Sequence, residues 1–266
     1  MMRVNKLKAI EENLQRIALT YPNQQIEPQL RDIRRIAFHI SLVLQHFRER
    51  GVVKPRLCDI GGGIGLFSVG CAALGIRVIL VDDFRDPVNL SLGSSVLDLH
   101  RAYGVEIIQA DLIDQGPDLP PESLDAVTSF DSMEHWHGSP KRLFHNCIRA
   151  LRPGGMFLVG TPNCVNLRKR LTVPLGFGKW SSMQHWYEQP VFRGHVREPD
   201  VADLLYIARD LGLVGVRIIG RNWAGYASAR RALRVATSLA DRALRWRPSL
   251  CSDIYLSGIK PTLRMA

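Results

Sequence analysis

The chain is short of the pairings that would make its cysteines structural. Cys58, Cys71, Cys147, Cys164 and Cys251 are scattered, odd in number and form no C-x-x-C pair. That spacing excludes a disulfide framework or a cysteine zinc site and fits a reducing cytosol. No apolar stretch reaches the length needed to span a bilayer. The first residues, MMRVNKLKAIEENLQRIA, are charged throughout and lack the apolar centre of a secretory signal. Internal repeats and low-complexity segments are also missing, so neither a solenoid nor a disordered linker is expected. Acidic residues are in the minority, 25 against 35 lysines and arginines, for a net charge of +10. The excess sits towards the two ends: Arg31, Arg34, Arg35, Arg48 and Arg50 precede the centre, and Arg230, Arg231, Arg234, Arg242, Arg245 and Arg247 crowd one late segment. Such charge suits nucleic acid or an anionic membrane surface.

What is present is a 266-residue chain with 46% hydrophobic content, enough for one large α/β domain with appendages. Its centre is RLCDIGGGIGLFS, residues 56–68. Leu57, Cys58 and Ile60 suit a buried parallel strand, and Leu66, Phe67, Val69, Gly70 and Ala73 continue at helical spacing. Gly61, Gly62, Gly63 and Gly65 lie between them, where positive φ angles and bare N–H groups at a helix N-terminus favour a ligand. The dinucleotide fingerprint G-x-G-x-x-G fails in both frames, because Leu66 or Ser68 occupies its third glycine position. Asp59 ends the strand two residues before the turn and would repel a pyrophosphate while welcoming a cation.

The pattern Asp59, Gly61, Gly63, Gly65 resembles motif I of the class I S-adenosylmethionine-dependent methyltransferases, whose cofactor carries an ammonium and a sulfonium. Further stretches extend the likeness over about residues 55–162. A β-branched second strand over residues 76–83 ends at Asp82, placed to accept hydrogen bonds from ribose hydroxyls, with Phe84 beyond it to pack on adenine. A helix over residues 94–103 leads to a third strand over residues 105–110 and then to Asp111 and Leu112; the family commonly has an acid here that meets the adenine amino group. A fourth strand over residues 126–129 reaches Phe130 and a Glu134-His135 pair. The helix over residues 140–151, the turn Arg152-Pro153-Gly154-Gly155 and a fifth strand resemble the branch acting on quinone precursors, sugars and glycan intermediates. The resemblance therefore implies a donor site of Asp59, Gly61, Gly63, Gly65, Asp82, Phe84, Asp111, Leu112 and Phe130.

The implied fold is Rossmann-like: a seven-stranded, mostly parallel sheet with helices on both faces and an antiparallel last strand over residues 253–260. Helices over residues 1–20 and 29–50 form an N-terminal cap, with the methyltransferase domain occupying residues 51–266. His39 and His46 read as packed or surface histidines. Residues 163–199 break the alternation of strands and helices. This aromatic, loop-rich insertion is expected to cover the acceptor, with Trp180, His185, Trp186, Tyr187 and His195 as its substrate-binding residues. A GHVREP stretch then leads to a helix over residues 199–211 and a sixth strand over residues 213–220. Residues 224–247 read as a basic amphipathic helix that brings the enzyme to an anionic inner-membrane surface.

Methyl transfer to a hydroxyl calls for alignment, a dry pocket and a base, and His135 is the candidate. Glu134 is expected to brace the neighbouring loop. A metal held by Asp131, Glu134 and His135 is set aside, because their spacing is unlike a dedicated site. The expected acceptor is a small molecule, sugar or lipid-linked compound. Nucleic acid is the competing acceptor on charge alone, but no N-P-P-Y-like motif follows strand four. An NAD-dependent oxidoreductase and a non-catalytic binding module are the readings of other classes.

Overall fold

A computed structural model describes residues 2–86, 94–113, 117–178, 182–189, 192–223, 226 and 231–262; the side chains of residues 2–5, 185 and 233 lie outside that description. Seven strands form one sheet in the order β3-β2-β1-β4-β5-β7-β6. They are β1 Arg56–Ile60, β2 Arg77–Asp82, β3 Glu106–Gln109, β4 Leu124–Phe130, β5 Leu151–Pro162, β6 Val214–Arg221 and β7 Asp253–Ile259. Neighbours from β3 through β5 pair in parallel, and β7 runs antiparallel between β5 and β6.

Two hydrophobic cores lie on the two faces of this sheet, and strand periodicity sorts residues between them. Leu57, Val78, Leu80, Ala126, Met156 and Leu158 face one core. Their neighbours Cys58, Ile79, Val81, Val127, Phe157 and Val159 face the other. The first core is closed by α1 Met2–Ala18, α2 Asn23–Glu49 and α3 Leu66–Ala73. The second takes Leu143 and Phe144 of a helix over Lys141–Ala150 and Leu204 and Ala208 of a helix over Val201–Asp210. The latter opens with a reciprocal capping box between Asp200 and Asp203.

The structure departs from the sequence reading in three places. The first two helices share the core of the sheet rather than forming a separate cap ending at residue 50: Leu14, Ile40 and Phe47 pack with Leu57 and Val78. A Cβ on Gly70 would stand 2.5 Å from Leu14 and 2.9 Å from Ile40, so the glycine is what lets α3 approach them. Second, α2 starts at Asn23 and carries Pro28 inside it. So near the helix start, the proline forfeits one ladder bond, while Ile26 and Leu30 still pack on the core. Third, Arg152-Pro153-Gly154-Gly155 is a bulge within β5, not a turn ahead of it. Leu151 pairs with Leu124 and Met156 with Ala126, so the extra residues are extruded between two registered pairs.

Because α1 belongs to the core, Leu14→Ala should cost roughly 2–5 kcal/mol of unfolding free energy, the range for a fully buried leucine. Urea denaturation measures this directly. An unchanged midpoint would mean that the N-terminal helices are dispensable to the fold.

Candidate functional site

Strands β1, β2, β3 and β4 end on the same side of the sheet, and a cleft of about 720 Å³ opens beyond them. This is where open α/β sheets place their ligands, outside the carboxyl ends of the strands. The glycine turn forms its floor. Gly61 and Gly63 adopt φ of 67° and 55°, a region costly for residues with a Cβ. A Cβ on Gly61 would meet the Ser132 hydroxyl at 1.9 Å, whereas one on Gly63 would meet nothing within 4 Å. The backbone at Gly63 is thus bared to the cleft.

Two acids, the buried Asp59 and the half-buried Asp82, fix this turn. Asp82 Oδ2 accepts the Gly63 amide at 2.9 Å and Oδ1 accepts the Phe84 amide at 2.7 Å. Each oxygen keeps a lone pair for a further donor in the cleft. Burial raises the Asp82 carboxyl above its usual range, against those two amides. Asp59 lies under the turn, accepting Ser68 Oγ at 2.7 Å and Thr128 Oγ1 at 3.0 Å. Burial pushes its carboxyl up to about 6, although both hydroxyls oppose the shift. Asp59 reaches the cleft edge, but its carboxylate is engaged from behind by α3 and β4.

Around this floor the structure brings together most of the residues expected at the donor site. Asp59, Gly61, Gly63, Gly65, Asp82, Asp111, Leu112 and Phe130 all line the cleft. Asp111 caps its own loop, Oδ1 accepting the Ile113 amide at 3.0 Å, with Arg85 3.7 Å from its other oxygen. Phe84 does not join them. It takes a left-handed φ of 52° and turns its ring into the core, because its amide is held by Asp82.

The opposite wall comes from the turn after β4 and from α2. His135, Trp136 and Arg193 line it, together with Arg35, His39 and Asp131. Asp131 has a φ of 50° and pairs with Arg35, which also holds Asp32 at 2.7 Å. Backbone strain of this kind concentrates at functional sites. His39 is fully buried, stacked 4.0 Å from the Phe130 ring and bonded to the Tyr255 hydroxyl at 3.0 Å. Burial, then Arg35, lowers its pKa well below the usual histidine value, so it is neutral.

His135 Nδ1 bonds the Arg193 carbonyl at 2.8 Å, and its ring centre lies 4.9 Å from that of His195. His195 Nδ1 meets Glu198 Oε1 at 2.7 Å, and Lys169 holds the other oxygen of Glu198. That hydrogen bond raises the pKa of His195 despite partial burial. Burial would raise Glu198, but His195 and Lys169 hold it at about 2. Glu134 is fully buried beside the two histidines, and burial followed by repulsion from Asp131 pushes it up to about 8. Its carbonyl accepts the amides of Val196 and Arg197, tying the end of the insertion to the turn after β4.

The expected acceptor residues divide. His195 reaches the site through His135. Trp186 and Tyr187 sit exposed on the short helix Met183–Tyr187 and do not line the cleft, since that helix has no buried face to turn them inwards. Trp180 and the His185 side chain lie outside the described residues. The sequence reading took Arg35 only as part of the basic excess and His39 only as a packed or surface histidine; His39 is indeed packed, but neither was placed at the cleft. Their signal was polar residues at helical spacing, Asp32, Arg35 and His39, intruding on the face that carries Ile36 and Ile40.

A family model described as a methyltransferase domain matches residues 11–218. A protein of Mycolicibacterium smegmatis, described as a probable S-adenosylmethionine-dependent methyltransferase, is 31% identical over 132 residues, 48% of this chain and 50% of its own. A ubiquinone biosynthesis O-methyltransferase of Xanthomonas campestris is 34% identical over 112 residues, 41% of this chain and 43% of its own. The chain thus spans about half the length of the curated relatives it matches. Among solved structures, Haemonchus contortus phosphoethanolamine N-methyltransferase 2 with S-adenosyl-L-methionine superposes with a TM-score of 0.54 at 18% identity. That match covers 84% of this chain and 53% of the other, a likeness of fold.

The buried Asp59 carboxyl makes stability depend on pH. Its folded pKa of about 6 exceeds the ordinary 3.8, so its contribution is complete below about pH 4 and is lost as pH rises through 6. A shift of that size corresponds to about 3 kcal/mol. In Asp59→Asn this decline should vanish, so the stability gap between the two proteins should move by up to about 3 kcal/mol between pH 4 and pH 7. Parallel pH curves from chemical denaturation would contradict the assignment.

Proposed function

Since the chain belongs to the class I S-adenosylmethionine-dependent methyltransferases, we propose that it methylates an oxygen of a small acceptor carried on a lipid or glycan, such as a quinone precursor or lipid-linked sugar. The observation that carries this reading is the continuity of one cleft from Gly63 and Asp82 to His135 and Arg193. Donor and acceptor can then meet within a single cleft. The residues present fit the donor: Gly63 leaves room for close backbone approach, and Asp82 keeps free lone pairs for ribose hydroxyls. When bound, S-adenosylmethionine supplies an electrophilic methyl on a sulfonium that leaves as a thioether.

On the acceptor side His135 is the activating residue. A carbonyl can only accept, so the bond to Arg193 puts the proton of neutral His135 on Nδ1 and leaves a lone pair on Nε2. Loss of that group should lower kcat by roughly 100-fold or more.

The surface supports a lipid-borne acceptor. Leu171, Leu175 and Phe177 are exposed in a stretch that also carries Arg168, Lys169 and Arg170, and Lys169 ties this stretch to Glu198, the partner of His195. A helix over Arg231–Leu244 is anchored by the fully buried Asp241, which takes bonds from Arg221, Asn222 and Arg245. Its apolar stripe faces outwards, with Leu239 65% exposed and Trp246, just past its end, 90% exposed. Arg230, counted with this helix in the sequence, lies outside the described residues. An outward apolar stripe flanked by Arg231, Arg234 and Arg242 favours a peripheral contact with anionic membrane over packing on the domain. No helix among the described residues is long and apolar enough to cross a membrane.

Incubating the protein with methyl-labelled donor and extracts of its source should put the label in an organic-soluble product, and His135→Ala should abolish most of it. Label in nucleic acid would contradict the proposed acceptor. In flotation, anionic liposomes should carry the protein at low salt and release it at 1 M, where the Debye length falls to about 3 Å. A Leu239→Glu, Trp246→Glu double variant should stay at the bottom. Equal recovery of both proteins with anionic and neutral lipid would exclude the membrane contact.

A further inference from the structure

We propose that Glu134, His135 and His195 form a binding site for one divalent transition-metal ion on the acceptor wall of the cleft. One carboxylate oxygen of Glu134 and one ring nitrogen from each histidine lie within 4.8 Å of one another. Ligand atoms on a tetrahedral ion with bonds of about 2.1 Å stand roughly 3.4 Å apart, a contraction within reach of small ring rotations. The histidine later in the chain is the ligand that local spacing around Glu134 and His135 could not reveal.

Three features beyond proximity point to a cation. The first is the orientation of the rings. His135 donates Nδ1–H to the Arg193 carbonyl, and His195 turns Nδ1 to Glu198, which Lys169 holds in place. Both Nε2 atoms are left to carry lone pairs, the arrangement in which outer partners fix metal-ligating imidazoles. The second is an unmet oxygen. Glu134 is fully buried, yet its Oε1 has no hydrogen-bond partner among the described residues, a state that costs a buried polar group dearly. Third is the charge balance. Asp131 has Arg35 and Glu198 has Lys169, but Glu134 has no ion pair among the described residues.

Two imidazoles and one carboxylate suit zinc, iron, cobalt or manganese better than calcium or magnesium, which prefer all-oxygen shells. Three protein ligands leave open positions, and His135 lines the cleft, so those positions would take an oxygen from water or from the acceptor. This role rests on the reading of the protein as an O-methyltransferase. With the ion bound, the Nε2 lone pair of His135 is a ligand and no longer a base, so the histidine activates the acceptor through the metal: an acceptor hydroxyl bound there would lose its proton to water, its O–H bond breaking, and present the oxyanion that forms the new O–CH3 bond as the S–CH3 bond breaks.

The test is a titration of the chelator-stripped full chain with Co²⁺, read by its visible d–d absorption. Saturation at one ion per chain is expected. His195→Ala and the isosteric Glu134→Gln should each weaken Co²⁺ binding at least 10-fold while still binding S-adenosylhomocysteine, which shows that they are folded. Absence of saturable d–d bands in the parent protein, or unchanged Co²⁺ affinity in a variant that binds S-adenosylhomocysteine, would overturn the site. Saturable Co²⁺ binding without any S-adenosylhomocysteine binding would leave the metal site standing and refute the methyl-transfer reading instead.

Discussion

The glycine turn depends on two carboxylates, a buried one beneath it and a half-buried one beside it. Asp59 ties Ser68 of α3 and Thr128 of β4 to the end of β1, and Asp82 takes the Gly63 amide across from β2. A turn this rich in glycine would otherwise sample many shapes, because glycine gains no steric restraint from a side chain. Carboxylates that each accept two defined donors set one shape. Their desolvation is costly, as the raised pKa of Asp59 shows, and the packed core on both sheet faces offsets that cost.

The second wall of the cleft is built on a different principle. Residues far apart in sequence meet there as charge or hydrogen-bond partners: Arg35 pairs with Asp131 over 96 positions and Lys169 with Glu198, while His135 bonds the Arg193 carbonyl over 58. The insertion is thereby stitched to the turn after β4 at Glu134, whose carbonyl accepts the amides of Val196 and Arg197. The glycine-turn side is thus fixed by strand ends and the opposite wall by ion pairs and histidines. That opposite wall is therefore the more sensitive of the two to pH and ionic strength.

That difference explains what could be read from the residues alone. Leu57, Cys58, Ile60 and the run from Val78 to Val81 announce buried parallel strands, and acids at their ends have few places to point except past the sheet. Asp59, Asp82 and Asp111 were legible for that reason. The place of Arg35 and His39 at the cleft was not, because a helix periodicity reports which face is buried and not what that face meets. Phe84 misled because aromatic type says nothing of the left-handed backbone that turns it into the core. Arg152 to Gly155 misled because a Pro-Gly-Gly run marks a break in regular pairing without saying whether the strand ends or bulges. His195 stands apart: its partnership with His135 exists only through the fold of the intervening insertion.

Calorimetric titration of the full chain with S-adenosylhomocysteine and, separately, with NAD tests most directly whether the turn held by Asp59 and Asp82 is a methyl-donor site. Saturable binding of one S-adenosylhomocysteine per chain is expected, with no heat from NAD. Tight NAD binding without a response to S-adenosylhomocysteine would contradict it.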